Sequence, residues 1–214
     1  MQTGFNPEAA RSTLTGVQAA YNEFIQAIGT SVQSKFIGGM SQRWACNSAI
    51  EYFRDTFKPS LEAVITDANT RFSKHFEELN DSATKWASQT GSTFNKVNFT
   101  PNNFKYDISV IRENINGVRG IDKADAMNVV RDLQPIKQAA EAALTKASNV
   151  IVQYHAFYGE GQDEALVNSI NRIKSALNSA FEEQISNIDR FIQKTITDYE
   201  DTAGRVAQNF SSAS

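Results

Sequence analysis

The side chains best suited to chemistry are few: His75, His155, a single Cys46, and two adjacent carboxylate pairs, Glu77-Glu78 and Glu182-Glu183. Histidines and carboxylates on packed helices suggest a di-iron centre, which requires Glu-x-x-His pairs so that both ligands project from one helix face. The residue three before His75 is Phe72 and the residue three before His155 is Val152, so that pairing is missing. Cys46 would act as a nucleophile only beside a base, and its sequence neighbourhood supplies none. The chain contains no phosphate-binding loop, nucleophile elbow or dinucleotide fingerprint. His75 falls on an apolar helical stripe and reads as a packing residue, His155 sits beside a turn, and the Glu pairs read as solvated. The expectation is a non-enzyme with no catalytic residue, no metal ligand and no cofactor.

The elements that would position these residues follow from composition and punctuation. The chain has 214 residues, 41% of them apolar, with 21 Lys plus Arg against 24 Asp plus Glu. That length suffices for a substantial core. A net charge of -3 without charge runs gives no electrostatic footprint for nucleic acid. No apolar stretch approaches the roughly 20 residues of a membrane span. Met1 to Ala10 lacks a charged lead followed by an apolar run, so export would be leaderless. One cysteine excludes an internal disulfide.

Glycine and proline divide the chain into long helices. Pro7 behind Asn6 marks the start of a first helix whose apolar positions, Leu14, Val17, Tyr21, Phe24, Ile28, Val32 and Phe36, step by three or four. It is expected to end at Gly38-Gly39. A second helix is expected behind Ser41, with a seam through Phe53, Phe57, Leu61, Val64, Ala68, Phe72, His75, Leu79, Ala83 and Trp86. Pro59 predicts a kink or break near residue 55. Residues 92 to 120 read as a connector with a short helix around 107–115. A third helix starts after Asp122, is kinked by Pro135, and carries Val130, Leu133, Ile136, Ala140, Leu144, Ala147 and Ile151. A turn at 157–161 leads to a fourth, with Leu166, Ile170, Ile173, Leu177, Phe181, Ile185, Ile188, Ile192, Ile196 and Tyr199.

Helix four laid on helix two with an offset of 113 pairs Trp44 with Phe157, Phe57 with Ile170, Val64 with Leu177, Phe72 with Ile185 and Leu79 with Ile192. The first and third helices align at an offset near 116. This reads as two copies of one helix-turn-helix hairpin: 1–95, then a connector 96–120, then 121–214. Each hairpin exposes an apolar seam on one side. The expected fold is therefore all-α, an elongated antiparallel four-helix bundle in which the tandem hairpins bury their seams against each other. Its core would include Phe57, Val64, Phe72, Leu79, Ile170, Leu177, Ile185 and Ile192.

Both turns place an aromatic two residues before a small one: Trp44 and Cys46 in the first copy, Phe157 and Gly159 in the second. Each is followed by a long helix. This resembles the WXG-motif family, the ESAT-like helical hairpins exported by type VII secretion without a cleaved leader. The resemblance implies a turn motif at Trp44, Cys46, Phe157 and Gly159. It also implies an export-signal aromatic at Tyr199, with Glu200 and Asp201 as acidic neighbours and Ala at 203. The implied partner is the type VII machinery or another helical protein. Since the hairpins would satisfy each other, the chain is expected to be a monomer, an intramolecular pseudo-dimer.

On this reading the chain is a non-enzymatic interaction protein, cytoplasmic before export and secreted or surface-located afterwards. Two alternatives stand beside it. A membrane-active or pore-forming helical protein would need a continuous apolar hairpin, whereas polar residues interrupt each helix here every two or three positions. The other is a cytoplasmic helical scaffold.

Overall fold

The computed structural model describes residues 4–158 and 161–212. Helix α1 (Pro7–Ile25) begins where the sequence signals it: Asn6 Oδ1 accepts the backbone N–H groups of Glu8 and Ala9, both at 3.0 Å, with Pro7 in the first turn. The helical run ends at Met40, one residue past the expected Gly38-Gly39, but it is not one α-helix. It widens into a π-helical segment, π1 (Gln26–Ile37), and closes with the single turn α2 (Gly38–Met40). In a π-helix each N–H reaches back five residues rather than four. Ile28, Val32, Phe36 and Ile37 of π1 are all buried.

The second long helix starts later than expected. Trp44–Ala45 form a short strand, β2, and helix α3 (Asn47–Glu51) begins only behind Cys46, whose backbone is extended. The cause is tertiary, because β2 must stay extended to pair with a distant segment. Pro59 is accommodated by a second π segment, π2 (Tyr52–Phe57), ending just before α4 (Lys58–Gln89). Pro59 thus sits in the first turn of α4, where it costs no hydrogen bond within that helix. Gly91, at φ +68°, ends the run.

Residues 92–119 form an extended strap. The helix expected around 107–115 is not there. Instead Ile115 and Val118 exchange backbone hydrogen bonds of 2.8 and 2.9 Å around Asn116-Gly117, both at positive φ. That is a two-residue hairpin turn of the kind Asn-Gly favours. Side chains of the neighbouring helices hold the strap by acting as backbone surrogates. Asn80 accepts from Val97 N–H and donates to its carbonyl, both at 2.8 Å. Gln33 does the same for Asp107, at 2.8 and 2.9 Å. Asn69 donates to Asn102 O and Asn103 Oδ1, and Glu62 accepts from Tyr106 N–H at 2.9 Å. Tyr106 is buried and donates its hydroxyl to Ile28 O in π1. Gly29 lets the Phe104 ring lie on the helix backbone, since a Cβ there would come within 3.0 Å of that ring.

After β3 (Gly120–Ile121), Asp122 caps α5 (Lys123–Arg131) by accepting from Asp125 N–H at 3.1 Å. The chain breaks at Asp132 and resumes as α6 (Leu133–Tyr154), with Pro135 in its first turn. His155 closes α6 in the left-handed conformation, φ +45°. Strand β4 (Phe157–Tyr158) follows, and then α7 (Gln162–Ser212), whose 51 residues span about 76 Å at 1.5 Å per residue.

Among the described residues the protein is all-α apart from four two-residue strands. Helix α1 packs on α6, α6 on α7, α7 on α4, and α4 on α1, so each long helix has two long neighbours. One continuous core runs between them. The strands pair reciprocally across the chain. β1 (Gly4–Phe5), which leads into α1, pairs with β4, and β2 pairs with β3, which leads into α5. No helix among the described residues is long and apolar enough to cross a membrane.

Candidate functional site

The first turn is built around an aromatic cluster. Trp44 is fully buried, with ring centroids 5.9 Å from Tyr52 and 6.4 Å from Phe53. Its backbone is fixed by pairing with Ile121 and by the 2.9 Å bond from Asp122 N–H to Arg43 O. The indole Nε1 is sealed without a hydrogen-bond partner. Burial raises the Tyr52 phenol well above its ordinary pKa, and its hydroxyl lies 3.3 Å from both Gln184 O and Gln184 Oε1.

Cys46 is buried and lines a small cleft of about 190 Å³ together with Arg119, Thr195, Asp198 and Tyr199. The fold therefore brings Cys46 and Tyr199, far apart in sequence, to one place. It does not bring a base to the thiol in any described hydrogen bond or ion pair. In the second turn, Phe157 pairs through its backbone with Phe5, at β1. Gly159 lies outside the described residues.

The core positions read from the seam are placed as follows. Phe57, Val64, Phe72, Leu79, Ile170, Leu177 and Ile192 are buried, and Ile185 is partly exposed at the core margin. His75 is buried, whereas His155 lies at the end of α6, its Nδ1 2.6 Å from Asp163 Oδ2. Burial raises the Asp163 carboxyl and the His155 hydrogen bond partly offsets this. Among the described residues no three His, Cys, Asp or Glu side chains form a metal-binding group.

Sequence reasoning missed the end of α7. Tyr199 is 40% exposed rather than the last core aromatic of its helix, and residues 200–211 are exposed throughout. The helix thus overhangs the packed body by about 18 Å, a dozen residues at 1.5 Å each. Tyr199 and Val206, seven apart, lie on one stripe of it. Little in the sequence signals this, because Ala203, Val206 and Phe210 continue the three-to-four spacing beyond Tyr199 although no element covers them.

These features define a helical protein with one packed core, a side-chain-pinned strap and a projecting helix end. Residues 74–154 match the bacterial flagellin C-terminal helical region, a stretch covering the second half of α4, the strap, α5 and α6. No curated protein and no solved structure matches the chain.

The flagellin match overturns the resemblance to the WXG-motif family. It overturns with it the reading as a type VII substrate or associate, the type VII machinery or another helical protein as partner, and the self-sufficient monomer. Neither the membrane-active nor the scaffold alternative gains from it. The physical reason for the error is that long amphipathic helices joined by an aromatic-bearing turn satisfy many helical architectures. An aromatic two residues before a small side chain marks a turn, not a family.

Proposed function

We propose that the chain is a non-enzymatic structural subunit of the bacterial flagellin type, exported and acting outside the cell by assembling with further copies of itself. The observation that carries this reading is the match of residues 74–154 to the flagellin C-terminal helical region. The overhanging end of α7, with Tyr199 and Val206 on one stripe, supports it by offering apolar surface on a projecting helix. Sedimentation velocity and negative-stain microscopy of the full chain over a concentration series test the reading. Oligomers or filaments that grow with concentration are expected. A single species of monomer mass at every concentration would overturn it. Blotting culture medium against cell lysate tests export, with the protein expected in the medium.

For the architecture we propose an elongated antiparallel four-helix bundle made of two tandem helix-turn-helix hairpins, 1–95 and 121–214, joined by the connector 96–120. Three observations support it. The long helices pack in a closed ring. Each turn strand pairs with the strand leading into the other hairpin. The strand starts are offset by 116 residues from β1 to β3 and by 113 from β2 to β4, matching the two offsets of the sequence alignment. Phe57, Val64, Phe72, Leu79, Ile170, Leu177 and Ile192 then form the bundle core with Ile185 at its margin, while Trp44 with Cys46 marks the first chain reversal and Phe157 the second.

A further inference from the structure

Between α4 and the first turns of α7 lies an open groove of about 590 Å³. That is within the roughly 300–1,000 Å³ typical of small-molecule sites. Its polar lining includes Arg71, Lys74 and His75 from α4 and Arg172 from α7, and Leu79 and Leu166 supply apolar wall. His75 is the unusual member, a ring only 6% exposed on the apolar seam. Its Nδ1 is sealed without a hydrogen-bond partner, so the polar edge it presents to the groove is Nε2.

Burial, reinforced by the charges of Arg71 and Lys74, lowers the His75 pKa to about 4, so the ring is neutral at pH 7 and carries one proton. On Nδ1 that proton would be a sealed donor with no acceptor, the costlier arrangement for a buried group. The Nε2–H tautomer, with its proton towards the groove, avoids that cost.

The charges around this donor are graded. Arg71 is paired with Asp67 at 2.8 Å and Lys74 with Glu78 at 3.7 Å. Arg172 makes no ion pair among the described residues. A ligand that accepts a hydrogen bond and carries negative charge satisfies both His75 Nε2–H and Arg172. The two rim carboxylates, Asp67 and Glu78, repel polyanions.

We propose that this groove binds a small organic oxyanion, a carboxylate or a phosphate monoester, with its head group between His75 and Arg172 and a short apolar arm on Leu79 and Leu166. The proposal is independent of the structural-subunit reading above.

The test uses the full chain labelled with ¹⁵N at histidine, with benzoate, phenyl phosphate and inorganic phosphate as probes. Without ligand, His75 is expected in the Nε2–H tautomer. Benzoate or phenyl phosphate should then shift its ring nitrogens saturably, and whichever does so identifies the head group. Arg172→Ala should weaken binding by about tenfold, and His75→Phe should abolish it. Arg172 is exposed, so its variant keeps the test decisive even where His75→Phe disturbs folding. An Nδ1–H tautomer, no saturable shift up to about 10 mM probe, or binding that persists unchanged in Arg172→Ala would overturn the proposal. Inorganic phosphate binding as tightly as phenyl phosphate would overturn the apolar arm.

Discussion

His75 shows how one residue type changes meaning with its surroundings. On an open helix face it would titrate near pH 6.5; in the α4 seam its pKa falls to about 4. The unfolded chain then binds more protons than the folded one between those values, so folding stability should fall as pH drops from about 6.5 towards 4. The full difference corresponds to at most about 3.5 kcal/mol, at about 1.4 kcal/mol per pH unit. Asp163, with its raised carboxyl, acts in the opposite direction. The lowered Asp55, Asp81 and Asp107 contribute only below their ordinary 3.8. Urea unfolding at pH 7.0 and 4.5 for wild type and His75→Phe isolates the term: the wild type should lose more stability than the variant, and equal losses would refute it. At the same scale, Tyr106→Phe removes the only described hydroxyl contact to Ile28 O. It should cost about 1 to 2 kcal/mol, read from the urea midpoint.

Among the elements, the strap is the one whose conformation owes least to its own sequence. Its residues have no helical or strand periodicity, and its extended path is dictated by Asn80, Asn69, Glu62 and Gln33 reaching from the helices. Asn80→Ala deletes both bonds to Val97 and should cost roughly 1 to 3 kcal/mol. Hydrogen exchange should show faster amide exchange around residues 94–107 with little change at the centres of α1 and α6. Uniform acceleration across the molecule would show that the strap is inseparable from the helices. Asn116-Gly117 is a turn signal as a dipeptide, yet the polar residues around it carry no mark of the distant side chains that pin them. Conversely, the starts of α1 and α5 were legible because Asn6 with Pro7, and Asp122, satisfy helix donors locally.

For the whole molecule, the helices share one core, so a charge placed in it should be felt globally. Leu177 is fully buried on α7. Leu177→Asp should destabilise by roughly 4 kcal/mol or more, because an unpaired carboxylate is costly to bury and the Leu side chain leaves a void. Thermal unfolding followed by circular dichroism checks this, and an unchanged midpoint would place Leu177 outside the core. Val206 on the overhang gives the contrasting case. Val206→Asp should leave the melting temperature unchanged and reduce self-association in sedimentation, the reverse of Leu177→Asp.

The spacing of apolar residues, the cap signals and the scarcity of Gly and Pro determined on their own that this chain is helical, where most helices begin, and which faces are apolar. These are local properties, set by the 3.6-residue period and by side chains that bond to their own backbone. Tertiary structure alone decided that Trp44–Ala45 stays extended, that the first helices widen into π segments, that the strap is held by amides from distant helices, and that α7 runs on past the core. Each of these depends on a partner tens of residues away, Ile121 for Trp44 and Val97 for Asn80, and a pattern read along one stretch of chain does not contain the partner.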